Sequence, residues 1–391
     1  MKILCLGGAG KISREVVYDL AKSFEFERIT VGDINESEGR RVAEDCRVGG
    51  VDYRKIDIYD EEAAVKIVSE YDIVLDGTTI SQNGQSTKIL AQANVHGINF
   101  NGFGEEYQYH RIFRENKKVL VPGFGMTPGT TNMMAVSICE RLDVVDSIRI
   151  SHGAFRPIAF STSIAETTSY EYDPKLTGRV VYEHGKFLQV PPFSRERYIR
   201  LPEPYGTLPQ YIIPHSETVT LPQYLASVGK EAKLIEVRGT WPAKNMQLVR
   251  ALYDWGMLQN DKVELDGREY GVMDVISRYL TQSTEGTTTT LYGYALHVEV
   301  EGERSGRKCR HTMYHTHPAS DGSVSEWDGL RAYTKNVALP VAVAVRLLAD
   351  GRMKEYGVLI PEKVFNPREI FAGLRERGIL VHEVIEEIEG S

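Results

Sequence analysis

Cysteine is scarce in this chain: Cys5, Cys46, Cys139 and Cys309 lie far apart among 391 residues and form no Cys-x-x-Cys. That usage fits a reduced compartment and excludes a disulfide framework or a zinc site built on cysteine pairs, so all four read as structural. There is no block of lysine or arginine, and the net charge is −8. Nucleic acid and anionic membrane are poor partners for such a surface. The apolar run Val337 to Val345 is too short to span a bilayer and stops at Arg346, while the first residues enter a glycine turn rather than a signal-peptide core. A cytoplasmic protein with no membrane partner is expected. No repeat and no low-complexity segment divides the chain. With apolar residues at 42% and charged residues at 26%, the composition is ordinarily globular, and the length suffices for two or three domains.

What the chain does have stands at its start. Ile3 to Leu6 is a short apolar run suited to a strand buried on both faces. It breaks into glycine, after which Ile12, Val16, Val17, Leu20 and Ala21 recur at helical spacing. Gly8-x-Gly10-x-x-Ser13 is the dinucleotide fingerprint with its third glycine replaced by a small residue. Gly8 permits the tight turn, Gly10 admits a pyrophosphate to the backbone, and Lys11 and Ile12 open the helix whose N-terminus would hold it. A second apolar run, Ile29 to Val31, ends in Asp33, whose carboxylate can accept the ribose hydroxyls. The ordinary alternative is a glycine turn that only spaces strand from helix.

The first third then alternates strand and helix: a helix from Glu36, a strand at Val51 to Ile58, a helix from Glu61, a strand at Ile73 to Leu75, a helix near Thr87, and strands at Ile98 to Phe100 and Val119 to Val121. This is the rhythm of a doubly wound parallel sheet, whose ligand lies beyond the carboxyl ends of the strands. Asp57, Thr78, Thr79, the run Asn101-Gly102-Phe103-Gly104 and Gly125 stand there, with plain turn chemistry as the competing account. Gly125 to Asn132 reads as a rigid loop entering a helix, and Asn132 stands where an amide or carboxylate could be bound. From Ser147 the pattern becomes largely antiparallel strands, with helices near Ala243 to Trp255 and Val272 to Leu280, and the last sixty or so residues return to helix.

Taken together, the opening fingerprint, Pro-Gly-Thr-Thr-Asn132, the hairpin running from Val181 to Pro192 and the tail from Gly357 to Leu380 resemble the saccharopine dehydrogenase family, and within it are most similar to the lysine 6-dehydrogenases. The resemblance implies an α/β protein with a Rossmann-type doubly wound parallel sheet at 1–125, an inserted α+β catalytic and dimerisation domain at 126–330, and a C-terminal segment, 331–391, packing back on the earlier domains. It also implies a homodimer, NAD as cofactor with NADP possible, and oxidation of a carbon–nitrogen bond in a small amino-acid-like substrate. Departures fall where substrate would sit. His152-Gly153 replaces the usual Gly-Gly, and Trp241-Pro242 replaces a Gly-His, so the lysine substrate does not carry over.

Amine oxidation needs a base with a pKa near 7, and a substrate carboxylate needs a guanidinium fork. His152, His215 and Glu217 are candidate catalytic groups, with Glu166 as a further carboxylate; Arg156 and Arg238 are candidate forks. The bland alternatives are a histidine ending a strand and an arginine in a structural ion pair. Tyr182-x-x-x-Lys186 has a short-chain dehydrogenase spacing, but His184-Gly185 makes it a hairpin turn. His311, Met313, His315 and His317 alternate along a strand, where a polar face or subunit contact is expected rather than metal. The expected activity is an NAD-dependent dehydrogenase acting on an amino acid or opine-like secondary amine. The alternatives are a non-catalytic NAD(P) sensor with the same fold and a saccharopine- or carboxynorspermidine-type reductase.

Overall fold

The computed structural model describes all residues except 24, 47–49, 103, 260, 283–290, 319–322, 352 and 389–391. Phe103 of the glycine-rich run therefore lies outside the described residues. In chain order the elements are β1 (Lys2–Leu6), α1 (Ser13–Leu20), β2 (Arg28–Asp33), α2 (Glu36–Asp45), β3 (Val51–Lys55), α3 (Glu61–Val68), β4 (Ile73–Asp76), α4 (Asn83–Ala93), β5 (His96–Asn99), α5 (His110–Glu115), β6 (Val119–Val121) and α6 (Thr130–Cys139). There follow β7 (Val144–Phe155), α7 (Thr162–Tyr172), β8 (Val180–Glu183), β9 (Lys186–Gln189), β10 (Arg197–Arg200), β11 (Thr207–Ile212), α8 (Glu217–Ser227), β12 (Leu234–Thr240), α9 (Ala243–Asp254), β13 (Lys262–Leu265), β14 (Arg268–Gly271) and α10 (Val272–Gln282). The chain closes with β15 (Gly293–Arg304), β16 (Arg307–Thr316), α11 (Arg331–Ala349), β17 (Gly357–Val358), α12 (Pro361–Val364), α13 (Pro367–Arg375) and β18 (Leu380–Glu387).

Two compact units divide these elements, one formed by Met1–Met133 with Thr334–Gly378, the other by Met134–Tyr333 with Ile379–Ser391. In the first, seven strands among the described residues pair in the order β17-β6-β5-β4-β1-β2-β3, every pair parallel. The continuous apolar stretches become strands because both sheet faces are covered. Leu4, Leu6, Val74, Leu90, Phe113 and Leu120 meet in one buried cluster. The order turns back between β1 and β4, which leaves a crevice at the carboxyl ends of these two strands.

In the second unit the sheet runs β10-β11-β12-β7-β15-β16-β18, with β8 also on β12 and β9 on β8. It is more mixed than the strand pattern suggests, because β12 runs parallel to β7. Two helices escape sequence reading. α7 is rich in serine and threonine, which compete with the helical backbone, and α8 carries Pro222 inside it. The final apolar helix, α11, is longer than its apolar run. By length and composition alone it could cross a membrane, but 78% of that window is buried in the protein.

Candidate functional site

The first unit holds the glycine loop. Gly7 has a φ of +66°, and a Cβ on it would lie 2.7 Å from the Gly77 carbonyl oxygen. One on Gly8 would lie 2.6 Å from the Cys5 carbonyl oxygen. The loop is therefore drawn against both β1 and the turn after β4, leaving backbone alone to face a ligand. Ser13 serves as the third glycine for a visible reason: a Cβ on Gly77 would fall 2.1 Å from Ser13 Oγ, so the close approach is kept by the glycine opposite. Ile12 precedes α1 without a side-chain cap, and although the Arg14 and Glu15 N–H groups donate to the Gly10 and Ile12 carbonyls at 2.9 and 3.0 Å, the positive end of the helix dipole suits a pyrophosphate.

Asp33 ends β2 and clamps this loop, accepting from the Ala9 N–H at 3.1 Å and the Asn35 N–H at 2.9 Å. Its remaining lone pairs can accept ribose hydroxyls. These residues fit a nicotinamide dinucleotide. The two basic residues that could reward a 2′-phosphate are already engaged, Arg40 with Glu36 at 2.9 Å and over the Tyr53 ring at 5.3 Å, Arg41 with Glu38 at 2.6 Å. Asp33 would meet that phosphate with like charge. Calorimetry should therefore show NAD binding more tightly than NADP. Tighter NADP binding would mean that the exposed arginine pairs yield to the phosphate.

The other residues named past strand ends organise loops. Asp57 is exposed and accepts from the Tyr59 N–H at 2.9 Å. Thr78 donates its N–H and hydroxyl to Asp76 at 3.0 and 2.7 Å, and Thr79 begins a capping box with Gln82. Gly125 donates to the Pro128 carbonyl at 2.8 Å, closing the loop before α6. Asn132 is not presented to a substrate: its oxygen accepts from the Gly129 N–H at 2.7 Å and its NH2 donates to Glu362 at 2.7 Å. That amide ties α6 to α12. Sequence reading missed Glu106, a fully buried carboxylate. It accepts from the Asn83 and Asn99 side chains at 3.0 and 3.2 Å and from the Gly102 and Gly104 N–H groups at 3.1 and 3.0 Å. Its position just after Gly104 is the signal that could have exposed it.

In the second unit His152 and His215 come together. His152 lies on β7, in register with Gly239 of β12 and Leu296 of β15, so these three face the same side of the sheet. A Cβ on Gly239 would stand 2.7 Å from His152 Nε2, so the missing side chain makes room for the imidazole. The His152 ring stacks between His215 at 5.4 Å and Tyr294 at 5.5 Å, and Tyr294 in turn stacks on Tyr333 at 5.5 Å. Tyr294 Oη lies 3.3 Å from His152 Nδ1, while Nε2 is buried without a hydrogen-bond partner among the described residues. Such an atom is open to a water or a ligand.

Glu217, read from sequence as part of a loop, is the first residue of α8 and fully buried. Its carboxylate is 3.4 Å from His215 Nδ1, and Glu171, near the end of α7, is 4.0 Å from Nε2. These contacts split the two histidines. Burial, and then the charge on His215, pushes His152 down to about 3. Burial also opposes charge on His215, yet Glu217 and Glu171 hold that ring up at about 10. The expected base near 7 is thus replaced by one imidazole held toward its neutral form beside another held toward its charged form, an arrangement that acid–base chemistry can use. Glu166 is half-buried on α7, five residues before Glu171 and on a different side of the helix. Glu171 is the carboxylate that joins the cluster.

Arg156 follows β7 and is buried with its guanidinium over Tyr333 at 5.5 Å, Trp241 at 5.8 Å and Phe160 at 6.0 Å. Its Nη1 donates to the carbonyls of Pro157 and Ile158 at 3.0 and 2.9 Å, and its Nε has no hydrogen-bond partner among the described residues. Arg238 does not join it. Successive residues of a strand face opposite sides, so with Gly239 under His152, Arg238 faces away. There it pairs with Glu236 at 2.6 Å, within a lattice where Arg149 approaches Glu236 and Glu299 at 3.7 and 3.4 Å. Of the two forks, only Arg156 shares the face of the histidines.

The remaining motifs resolve locally. Tyr182 pairs with Phe187 and Glu183 with Lys186 across the β8–β9 hairpin, so Tyr182 and Lys186 do not share a helical face. His311 Nδ1 is 2.8 Å from Glu383, and His317 Nε2 is 2.9 Å from Tyr205 Oη, so these imidazoles take separate protein partners. Among the described residues no group of three or more His, Cys, Asp or Glu is placed to hold a metal ion.

Two family models match the chain: that of the saccharopine dehydrogenase NADP binding domain over residues 3–121, and that of the saccharopine dehydrogenase C-terminal domain over 125–379. Among solved structures, the chain is similar to the apo saccharopine dehydrogenase (L-Glu forming) of Saccharomyces cerevisiae, with a TM-score of 0.72 at 15% identity over 98% of this chain and 99% of that one. It is also similar to the homospermidine synthase of Legionella pneumophila in complex with NAD, with a TM-score of 0.65 at 12% identity over 98% and 91% of the two chains.

Proposed function

We propose that this chain, which belongs to the saccharopine dehydrogenase family, is an NAD(P)-dependent oxidoreductase that oxidises the carbon–nitrogen bond of an amino acid or an opine-like secondary amine. The observation that carries this reading is the buried His152 Nε2, without a hydrogen-bond partner among the described residues and with its ring stacked beside His215. The nicotinamide, when bound, supplies the hydride acceptor, held by the loop from Gly7 to Gly10, the start of α1 and Asp33.

The chain's own residues bind, orient and move protons. Arg156 is buried among aromatic rings, where a carboxylate partner gains from the low dielectric and from exclusion of water. His152 is neutral at working pH and can accept the amine proton at Nε2. Burial first, and then the charge on His215 opposite, makes it a weak acceptor. If the His215 proton shifts to Glu217, 3.4 Å away, the opposing positive charge is gone together with the smaller support from the Glu217 carboxylate, and the still-buried His152 ring regains part of its basicity. Tyr294 Oη, 3.3 Å from Nδ1, keeps the ring oriented while this happens.

A screen of amino acids and N-substituted amino acids, followed by absorbance of reduced cofactor, tests the reaction class. Reduction of NAD by one of these amines, with no response to hydroxy acids, is the expected result. A protein that binds NAD but reduces it with none of them is a sensor.

A further inference from the structure

A groove of about 530 Å³ opens beside the histidine cluster and belongs to no step described above. β11 contributes Tyr211, which is in register with Gly239 and so lies on the same sheet face as His152, one strand beyond the glycine. Trp241 is a wall shared by both places, lining the groove while lying 5.8 Å from the Arg156 guanidinium and 5.1 Å from Tyr172. The far wall is one stripe of α9, where Met246, Gln247, Arg250, Ala251 and Asp254 recur at helical spacing. Phe193 closes the groove from a backbone φ of +57°, a conformation that costs a phenylalanine free energy and tends to persist at ligand sites. Its ring is wedged between Tyr172 at 4.7 Å and Tyr211 and Tyr253 at 5.3 Å.

The chemistry of the walls selects an occupant. Aromatic faces could attract a substrate ammonium, but the Arg250 guanidinium already stands 4.7 Å over the Phe193 ring and uses Nε to hold both Asp254 oxygens at 3.2 and 3.3 Å. A second cation there meets like charge, and the carboxylate that could offset it is taken. A flat apolar group can instead lie against Phe193, Trp241, Leu208, Pro209 and Met246, with the Arg250–Asp254 pair left at the α9 wall. We propose that this groove receives the non-reacting part of the substrate, and that this part is an aromatic side chain rather than the aminoalkyl chain of lysine. The inference rests on the reading of the His152–Arg156 cluster as the reacting end. It accounts for Trp241-Pro242, the departure from the lysine dehydrogenase pattern that stands at the shared wall.

The test is calorimetric titration of the full chain loaded with NADH, which cannot accept hydride, with L-phenylalanine and with L-lysine, repeated on Ala251→Trp and Gln247→Trp. Both positions are exposed on α9, so an added indole fills the groove without entering the core. Phenylalanine should bind about tenfold or more tightly than lysine, and each variant should weaken phenylalanine about tenfold or more with NAD affinity unchanged. Lysine binding as tightly as phenylalanine, no binding of phenylalanine, or variants that bind it like the parent overturn the proposal. Because binding is read without turnover, a protein that binds phenylalanine in the groove yet oxidises no amine overturns the dehydrogenase reading alone.

Discussion

His152→Asn should lower turnover by about 10²–10⁴ while leaving NAD affinity unchanged, because asparagine can keep a hydrogen bond toward Tyr294 but cannot take up a proton. The same substitution should change how stability depends on pH. His152 is held below its ordinary value of 6.5, down to about 3, so its neutral ring contributes stability that is present above 6.5 and lost as pH falls toward 3. Urea midpoints of the parent should decline through that window, and those of His152→Asn should decline less. His215 has the opposite sign: raised to about 10, it contributes stability that is complete below 6.5 and lost as pH rises through 10. The His152 variant should leave that alkaline decline in place. An asparagine enzyme turning over within a few-fold of the parent would move the proton acceptor to His215 or Glu217 and leave His152 as packing.

Arg156→Ala and Arg238→Ala should fail in different ways, although both residues are buried arginines in the same unit. Loss of Arg156 removes a charge-assisted pair with the substrate carboxylate, about 1.5–3 kcal/mol. That amounts to roughly ten- to a hundredfold in apparent affinity. Arg156→Lys should recover only part of it, since an ammonium cannot bind bidentately. Loss of Arg238 leaves Glu236 buried beside a lattice that has lost one cation, at a cost to stability of about 3–5 kcal/mol, with the Michaelis constant of folded protein unchanged. Steady-state kinetics and urea denaturation on the two variants separate these outcomes. A Michaelis constant that rises with Arg238→Ala and stays put with Arg156→Ala would reverse the assignment.

The alternation of β1, α1 and β2, the glycine loop and Asp33 were legible because each depends on a few consecutive residues. An apolar run fixes a buried strand, glycine allows the turn that follows it, although the left-handed φ of +66° falls on Gly7 and not on the Gly8 read from sequence, and a carboxylate that ends the next strand stands beside the loop whatever the rest of the chain does. For the same reason His152, His215 and Arg156 could be named as candidates from residue type and segment. Tertiary structure alone decided what those residues can do. Strand register put Gly239 beneath the His152 ring and turned Arg238 to the other face, a one-residue difference no composition reveals. Helices α7 and α8, hidden by polar residues and by Pro222, carried Glu171 and Glu217 to His215 from sequence distances of 44 and 2 residues. Burial then did the rest, since two imidazoles with the same intrinsic basicity become one neutral and one charged only when water is removed and their neighbours are fixed.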